Sequence, residues 1–218
     1  MSLVLSAQKN DCIYDPCFIE ECFGASERVR VFGIKNERRR QESIAGLFAL
    51  KNALGGRVSA IIQRDERGRP YFCGSVGMDF SISHSGAFSV AALVDSSHGR
   101  VGVDIELADE KKEDTHRRIA NRYFSEDEQR MLERSRTPFE FYKIWTAKEA
   151  RAKLTGVGLA QMLSIDKAQT ADENEKYYFQ HFLLTYQSEK YVLTVCTDKN
   201  EEINFDCSDN MMITALIS

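Results

Sequence analysis

The stretch FSISHSGAFSVAALV, residues 80–94, alternates apolar and small polar side chains on both sides of a Gly-containing centre. Alternation with a period of two around a turn signal predicts a β hairpin, with FSIS as one strand, SHSG as the turn and AFSVAALV as the returning strand. A second turn at residues 96–99 leads into RVGVDIEL, residues 100–107, whose β-branched residues predict a further strand. These segments predict a sheet, with the turn that holds His84 at its rim.

Helical patterns flank the sheet region. Apolar residues recur at helical spacing between Glu37 and Leu54, and a Gly-Gly pair ends the run. In YFSEDEQRMLE, Ser125 followed three residues later by Glu128 predicts a capping box. A further helix is predicted for TPFEFYKIWTAKEARAKLTG, where the expected boundary residues are the N-cap Thr137, the N1 residue Pro138, the box-closing Glu140 and the terminating Gly156.

The second half of the chain repeats a pattern of the first. SHSGAFSVAALVD, residues 83–95, and YQSEKYVLTVCTD, residues 186–198, both read as a turn, an aromatic residue and an apolar strand that ends in Asp. One interpretation is coincidence between two hairpins. The other is a duplicated unit, which predicts an α+β fold with two similar halves, residues 1–100 and 101–218, related by a pseudo-twofold axis with a ligand cleft between them.

Composition excludes several classes of protein. The 218 residues are 43% hydrophobic and 28% charged, as in ordinary globular proteins. The net charge of −4 argues against a protein that mainly coats nucleic acid. No run of about 18 apolar residues could span a membrane, and the N-terminus lacks the features of a signal peptide. The six cysteines form no C-x-x-C pair, so we expect reduced thiols in a cytoplasmic protein.

The strand VGVDIE carries two acidic side chains with the spacing of a cation site. Residues two apart in a strand point to the same face, so Asp104 and Glu106 project together. Adjacent carboxylates repel each other unless a cation lies between them, and Mg²⁺ prefers such oxygen ligands. An exposed strand with two acidic residues is the alternative.

Further charges concentrate on the last predicted helix and in two basic segments. Glu149 and Lys153 are four residues apart on a helix that also holds the only tryptophan, Trp145; an ordinary helix ion pair would explain this spacing without a functional role. Positive charge at a helix start opposes the helix dipole, and an anion bound there would resolve the conflict. The basic residues at the start of the first predicted helix are Lys35, Arg38, Arg39 and Arg40, and those of the turn in RDERGRPYF are Arg64, Arg67 and Arg69.

Five motifs between Arg67 and Leu159 occur in a recognisable order: GRPYF, FSISHSG, VGVDIE, FSEDE and WTAKEARAKLTGVGL. In this order and spacing they resemble the motifs of the 4′-phosphopantetheinyl transferases, and specifically of the double-length, Sfp-like group. Each motif alone is weak evidence for this resemblance. The combination of G-[VI]-D-[VI]-E with a later W-x-x-K-E-[AS]-x-x-K is specific.

The resemblance implies an activity and a set of site residues. Such enzymes transfer the 4′-phosphopantetheine arm of coenzyme A to a serine of an apo acyl, peptidyl or aryl carrier protein and release adenosine 3′,5′-bisphosphate. Asp104, Glu106 and Glu149 fall on the positions that hold Mg²⁺. Lys153 falls on the last lysine of K-E-x-x-x-K, and by its charge is expected to stabilise the departing phosphate. The expected acceptor of the serine proton is Glu149, and Glu128 matches a second acidic position proposed for that role in the family.

The resemblance also implies contacts to coenzyme A. Ser83 and His84 match residues on its 3′-phosphate, and Arg69 stands where lysine is usual. Lys148 and Lys153 match the two lysines of the helix motif. In the N-terminal half a family arginine aligns with Glu42, and we expect Arg40 to replace it. Arg28, Arg30, Arg39 and Arg40 lie where the family places basic residues near the 3′-phosphate.

The implied partners are coenzyme A and a carrier protein, with no nucleic acid or membrane, and a monomer is expected because a duplicated chain builds its cleft alone. Since both proteins are acidic, docking must use local basic residues; the candidates are Lys111, Lys112, Arg117, Arg118 and Arg122. Two alternatives are a Mg²⁺-dependent phosphodiester hydrolase and a degenerate relative that binds coenzyme A or carrier protein without turnover.

Overall fold

The computed structural model describes residues 3–15, 17–55, 60–74, 77–109, 112–135, 137–168, 176–207 and 212–216. Within these ranges the α helices are α1 Cys17–Phe23, α2 Ala25–Phe32, α3 Glu37–Ala53, α4 Glu113–Tyr123, α5 Glu126–Arg134, α6 Phe139–Thr155 and α7 Leu159–Ala168. The strands are β1 Leu3–Lys9, β2 Ile62–Arg64, β3 Pro70–Phe72, β4 Met78–Ser85, β5 Phe88–Asp95, β6 Val101–Leu107, β7 Tyr178–Tyr186, β8 Glu189–Thr197, β9 Ile203–Cys207 and β10 Met212–Leu216.

The strands form two four-stranded sheets and one small hairpin. The first sheet has the order β4-β5-β1-β9, the second has the order β10-β7-β8-β6, and β2 pairs with β3. All pairs are antiparallel except β1 and β9, so the first sheet is mixed. The chain is therefore an α+β protein, as the sequence predicts.

The predicted central hairpin is confirmed, but its turn is shorter than expected. Strand β4 continues to Ser85, which pairs with Phe88, so only Gly86 and Ala87 form the turn. Gly86 has φ = 56° and lies against the Tyr191 ring, where a side chain would collide. Placing His84 in the turn was therefore wrong: His84 is a strand residue, and its side chain takes its direction from the pleat.

The two sheets pack face to face, with helices on their outer sides. Apolar side chains of β1, β5, β6, β7 and β8 form the layer between the sheets, including Phe88, Val103 and Leu193. Helices α1 to α3 cover the other face of the first sheet, and α4 to α6 cover the second. This arrangement turns the outer face of each sheet toward helices, and β6 presents alternate side chains to α6.

The two halves share one order of elements. In the first, a strand, helices and a hairpin follow one another, and β5 returns beside β1. In the second, β6, helices and a hairpin follow, and β8 returns beside β6. Strand β9 belongs by sequence to the second predicted half, residues 101–218, but it pairs with β1 of the first half. The first sheet therefore contains strands from both sides of the predicted division at residue 100.

The predicted start of α5 and the predicted end of α6 are confirmed, whereas the predicted start of α6 is wrong. Ser125 and Glu128 form the capping box of α5, and Gly156 ends α6 in a left-handed conformation. Thr137 does not cap α6: the N-cap is Pro138, with no side-chain hydrogen bond. Thr137 instead donates its amide to Ser135 Oγ at 3.2 Å, so a local turn replaces the expected cap.

Side chains of β4 bridge the two sheets. Strands β4 and β6 are edge strands of different sheets, and alternate β4 side chains accept hydrogen bonds from alternate backbone amides of β6. The donor and acceptor pairs are Val101 with Asp79 at 2.9 Å, Val103 with Ser81 at 3.1 Å, Ile105 with Ser83 at 3.4 Å, and Leu107 with Ser85 at 2.9 Å. These hydrogen bonds satisfy the β6 backbone amides that do not take part in the pairing of β6 with β8, and they hold the two halves of the chain in register.

Across the described ranges, the helices include none that is both long and apolar enough to cross a membrane.

Candidate active site

A close contact between β6 and α6 positions the acidic side chains. A Cβ atom on Gly102 would fall on the carbonyl oxygen of Ala150 and against the amide nitrogen of Leu154. Only glycine therefore lets the α6 backbone lie directly on the strand. The contact brings Glu149 of α6 next to Asp104 of β6, which explains why the strand motif contains glycine two residues before its first acid.

Asp104 lies at the centre of a buried polar network. Its side chain is 3% exposed, and Oδ1 accepts hydrogen bonds from Lys153 Nζ at 2.7 Å and Ser83 Oγ at 2.7 Å. Lys153 Nζ also donates to Ser83 Oγ at 2.8 Å and to the Val103 carbonyl oxygen at 3.1 Å. Asp104 Oδ2 is buried and has no hydrogen-bond partner among the residues that the structure describes. A buried carboxylate with one empty oxygen is expected to bind a further cation or donor.

The other two acidic residues are perturbed by burial and by this charge. Burial, followed by the charge of Asp104, raises the pKa of Glu106, although Ser85 Oγ donates to its Oε2 at 3.0 Å. Burial and then the charge of Asp104 raise the pKa of Glu149 to about 7, against the opposing effect of Lys153. The charge of Asp104 therefore disfavours the ionised forms of Glu106 and Glu149, as expected for carboxylates that lie close together.

These acids fit a divalent cation by their chemistry. Oxygen ligands, mutual repulsion and the orphan Asp104 Oδ2 are the features that bound Mg²⁺ would satisfy. In the described part of the chain, no three His, Cys, Asp or Glu side chains are already arranged as a metal site. Lys153 supplies the positive charge beside Asp104, so the cluster is a candidate site and not a preformed cage.

A cleft of about 460 Å³ opens beside this cluster and is lined by both halves of the chain. Glu149 and Lys153 line it from α6, and the loop from Gly156 to Leu159 closes one side. The opposite wall comes from α2, α3, β4 and the β2–β3 hairpin. Its charged residues are Glu27, Arg30, Glu42, Arg64, Arg67 and Arg69, together with His84.

His84 faces a buried acid in this cleft. Its Nδ1 lies 3.4 Å from Oε2 of Glu42, whose side chain is 8% exposed. Burial lowers the pKa of His84, while the charge of Glu42 raises it. Arg38 Nε donates to the other Glu42 oxygen at 3.0 Å. Glu42, which the sequence marks only as a departure from the family pattern, is thus a partner of His84.

Two comparisons with known proteins identify the family. A family model described as the 4′-phosphopantetheinyl transferase superfamily matches residues 100–200. The 4′-phosphopantetheinyl transferase AcpT of Escherichia coli strain K12 is 30% identical over 162 residues, which cover 73% of this chain and 76% of that protein. The chain belongs to the 4′-phosphopantetheinyl transferase superfamily.

Further relatives agree with this assignment to the phosphopantetheinyl transferases. The 4′-phosphopantetheinyl transferase psf-1 of Bacillus pumilus is 31% identical over 165 residues, covering 70% of this chain and 68% of that protein. AcpT of Salmonella typhi is 35% identical over 131 residues, covering 59% of this chain. That match spans 65% of the Salmonella protein, just under two thirds of its length.

The structure places some of the residues that match the phosphopantetheinyl transferase motifs together and separates others. Asp104, Glu106, Glu149, Lys153 and Ser83 lie around one buried network. Arg69 lines the cleft, with its Nη2 on both oxygens of Asp79 at 2.9 and 2.7 Å and its Nε on the Lys153 carbonyl oxygen at 2.9 Å.

Lys148 and Glu128 form a separate buried cluster. Lys148 Nζ lies 2.7 Å from Glu128 Oε1 and 3.0 Å from Asp166 Oδ2, and its side chain is 4% exposed. Arg151 also pairs with Asp166. Neither Lys148 nor Glu128 lines the cleft. This network joins α5, α6 and α7, and nothing in the local sequence pattern around Asp166 indicates it, because the partners lie on separate helices.

Arg40 also lies away from the cleft lining. Its guanidinium donates to the Ile34 carbonyl oxygen at 3.1 Å and pairs with Glu37 at the start of α3. Arg30, which the sequence groups with it, does line the cleft, as do Arg64 and Arg67 of the arginine turn. The basic wall is therefore built mainly by α2 and the β2–β3 hairpin.

Proposed function

We propose that this protein transfers the 4′-phosphopantetheine arm of coenzyme A to a serine of an apo carrier protein, in a Mg²⁺-dependent reaction that releases adenosine 3′,5′-bisphosphate. The observation that carries the proposal is the cluster of Asp104, Lys153 and Glu149, of which Lys153 and Glu149 line a basic cleft, in a chain of this superfamily. A cleft with excess arginine suits a ligand with several phosphate groups.

Glu149 is the proposed proton acceptor for the carrier serine. A general base works best when its pKa lies near the working pH, and the pKa of Glu149 is about 7. Glu128 is less suited to the role. Its Oε2 accepts the Ser125 amide at 2.7 Å and its Oε1 faces Lys148 at 2.7 Å, so the carboxylate is already occupied and lies outside the cleft lining.

Lys153 is proposed to stabilise the charge that develops on the departing phosphate. Its ammonium group lies at the cleft wall, held by Asp104, Ser83 and a backbone carbonyl. Donors held in place before the reaction stabilise a transition state without the cost of reorganisation. Mg²⁺ held by Asp104, Glu106 and Glu149 would neutralise charge on the coenzyme A pyrophosphate.

We further propose that the two halves are structural repeats related by a pseudo-twofold axis, as in a double-length, Sfp-like transferase. The support is their shared order of strand, helices and returning hairpin, with α3 packed on β5 and α6 packed on β8. Because residues of both halves line the cleft, one chain supplies both walls, and we expect the active protein to be a monomer. Cys12, Cys17, Cys22, Cys73 and Cys196 are free thiols, in keeping with a cytoplasmic enzyme.

Carrier protein is proposed to dock on helix α4. Arg117 is 67% exposed and lines a second cleft of about 720 Å³ between α4, α5 and the start of α6. Arg118 and Lys112 lie on the same segment, whereas Lys111 falls outside the described residues. Acidic carrier proteins would be attracted to the exposed arginine side chains of α4, although the net charges of both proteins are negative.

Reversing the charge of Arg117 and Arg118 tests the docking surface. The Arg117→Glu/Arg118→Glu variant should raise the KM for carrier protein by about tenfold and leave coenzyme A affinity unchanged, because like charges across an interface oppose encounter. Arg100→Glu is the control, since Arg100 is exposed, pairs with Asp198 and lines neither cleft. Unchanged carrier kinetics in the double variant would contradict the docking surface.

The transfer itself is tested by intact mass spectrometry. A panel of apo carrier proteins is incubated with this protein, coenzyme A and Mg²⁺. The expected result is the gain of one phosphopantetheine group on at least one carrier, abolished by EDTA and by Asp104→Ala. Coenzyme A binding without any transfer would instead identify a binding protein without turnover, and the absence of both binding and transfer would refute the proposed function.

A further inference from the structure

A buried lysine lies between α6 and the two helices that contact it, α5 and α7, and it lines neither cleft. Lys148 is 4% exposed, and its Nζ lies 2.7 Å from Glu128 Oε1 of α5 and donates to Asp166 Oδ2 of α7 at 3.0 Å. The centroid of the buried Phe124 ring lies 5.6 Å from the same nitrogen. Because an ammonium group leaves water only at a high cost unless carboxylates compensate it, the two acids keep Lys148 in this position.

The charges of this cluster cancel. Arg151 also pairs with Asp166, and its Nε and Nη2 lie 3.1 and 2.9 Å from the sulfur of Met162 on α7. Lys148 and Arg151 therefore supply two positive charges, and Glu128 and Asp166 supply two negative ones. This balance leaves no surplus charge for an anionic ligand to neutralise, so the cluster joins three helices and is not a binding site.

Each carboxylate of the cluster is itself fixed by a second contact. Glu128 Oε2 accepts the Ser125 amide at 2.7 Å in the capping box of α5, and Asp166 is held by Arg151. A buried polar network whose members are all satisfied is rigid. Lys148 is therefore bound by anchored groups on two different helices.

Other contacts attach the inner side of α6 to the second sheet. Gly102 allows the backbone of Ala150 to lie against β6, and Thr146 Oγ1 lies 2.6 Å from Thr194 Oγ1 of β8. At about 100° per residue, Lys148 lies roughly 200° around the helix from Thr146. The sheet thus holds α6 on one side and Lys148 holds it on nearly the opposite side, so the helix cannot pivot about its contact with the sheet.

The position of the Glu149 carboxylate depends on this orientation of α6. Side chains reach about 5–6 Å from a helix axis, so a rotation of α6 by about 10° would move the carboxylate by roughly 1 Å. A displacement of about 1 Å in a catalytic site can cost about 100-fold in rate. A contact that fixes the rotation of α6 therefore bears directly on the chemistry of Glu149.

We propose that Lys148 is a positioning residue for Glu149. Its contacts with α5 and α7 fix the rotation of α6, which directs the Glu149 carboxylate toward Asp104. This inference rests on the proposed function, in which Glu149 accepts the serine proton and helps to hold Mg²⁺. It gives Lys148 and Glu128 a role other than the ligand contact and the proton transfer that the sequence motifs imply.

A double-mutant cycle of Lys148→Met and Glu128→Gln tests this role at a temperature at which far-UV circular dichroism shows every variant to be folded. Each single variant should lower kcat by about five- to tenfold, and Lys148→Met should leave the coenzyme A dissociation constant within about twofold. Because both substitutions break the same contact, the double variant should lose no more than Lys148→Met alone. Glu128 is 25% exposed, so Glu128→Gln keeps the test valid if Lys148→Met does not fold.

Mg²⁺ binding to the complex with coenzyme A, measured by calorimetry without carrier protein, is a readout that does not depend on turnover. The affinity should fall about threefold or more in Lys148→Met, because a displaced Glu149 carboxylate is a poorer ligand. A role in folding stability alone would leave the affinity of the folded protein unchanged. Lys143→Met is the matched control and should keep kcat and Mg²⁺ affinity, since Lys143 lies on α6, is 16% exposed and lines neither cleft.

Three results would overturn the inference alone. Weaker coenzyme A binding in Lys148→Met with unchanged kcat would make Lys148 a ligand contact. Losses of kcat that multiply in the double variant would give Lys148 and Glu128 independent roles. Wild-type kcat and Mg²⁺ affinity in both single variants would show that α6 keeps its orientation without the cluster. If the wild-type protein neither bound coenzyme A nor modified any carrier protein, the proposed function would fall together with the inference.

Discussion

Replacing Lys153 with methionine should destabilise the metal-free protein by about 2–3 kcal/mol. Lys153 Nζ makes three hydrogen bonds in the network, and Asp104 is 3% exposed. Removing one partner of a buried ion pair costs about 3–5 kcal/mol. The Lys153 side chain is itself 32% exposed, and water in place of its ammonium group would lower that cost. Methionine keeps most of the apolar stem, so the loss reports the charge.

Urea unfolding in EDTA measures the free energy of unfolding for four proteins: wild type, Lys153→Met, Asp104→Asn and the double variant. The double variant should be more stable than the sum of the single losses predicts, with a coupling free energy of at least about 1 kcal/mol. Mg²⁺ should restore more stability to Lys153→Met than to the wild type, since a bound cation would compensate Asp104.

Lys143→Met is the control on the same helix. Lys143 Nζ lies 3.7 Å from Glu140 Oε2, too far for a hydrogen bond, so we expect the loss of its charge to cost less than the loss of the Lys153 charge. If Lys153→Met lost no more stability than this control and the double variant were additive, Lys153 would not stabilise the buried Asp104 carboxylate.

Two other perturbations test the same region. Gly102→Ala should lower the free energy of unfolding by about 3 kcal/mol, because its Cβ would collide with backbone atoms of α6. Gly158→Ala, with open space around it, should lower it by less than about 1 kcal/mol. Equal losses of the two variants in urea unfolding would contradict the close contact. The folded protein holds a proton on Glu149 up to about pH 7, so metal-free stability should fall as pH rises from about 4.5 to 7, by at most roughly 3 kcal/mol. Glu149→Gln should remove this decline, and an unchanged pH profile of the unfolding free energy would show that Glu149 is not responsible.

Local patterns in the sequence predict much of the fold. The hairpin of β4 and β5, the capping box at Ser125 and the end of α6 at Gly156 all depend on residues within a few positions of one another. Period-two alternation likewise predicts that Asp104 and Glu106 share a face. Such interactions are visible in sequence because the distances they span are set by backbone geometry alone.

The structure differs from the local sequence pattern where another partner competes for the same residue. Thr137 is a residue type that commonly caps helices, but its backbone amide donates a hydrogen bond to Ser135 Oγ, and helix α6 begins after Pro138. Lys148 matches a ligand-binding motif, yet two carboxylates from α5 and α7 enclose it. In each case a competing partner decides the conformation, and the sequence does not show which partner is near.

Short-range spacing is enough to predict the strand and helix pattern, the acidic pair, the lysine of α6 and the resemblance to the transferase family. The pairing of charges follows from the packing of distant segments: Glu27 meets Arg64, 37 residues away, and Glu42 meets His84. These pairs are not visible in the sequence because the energy of a buried charge depends on burial and on distances of a few ångströms, and the packing of sheets and helices sets both.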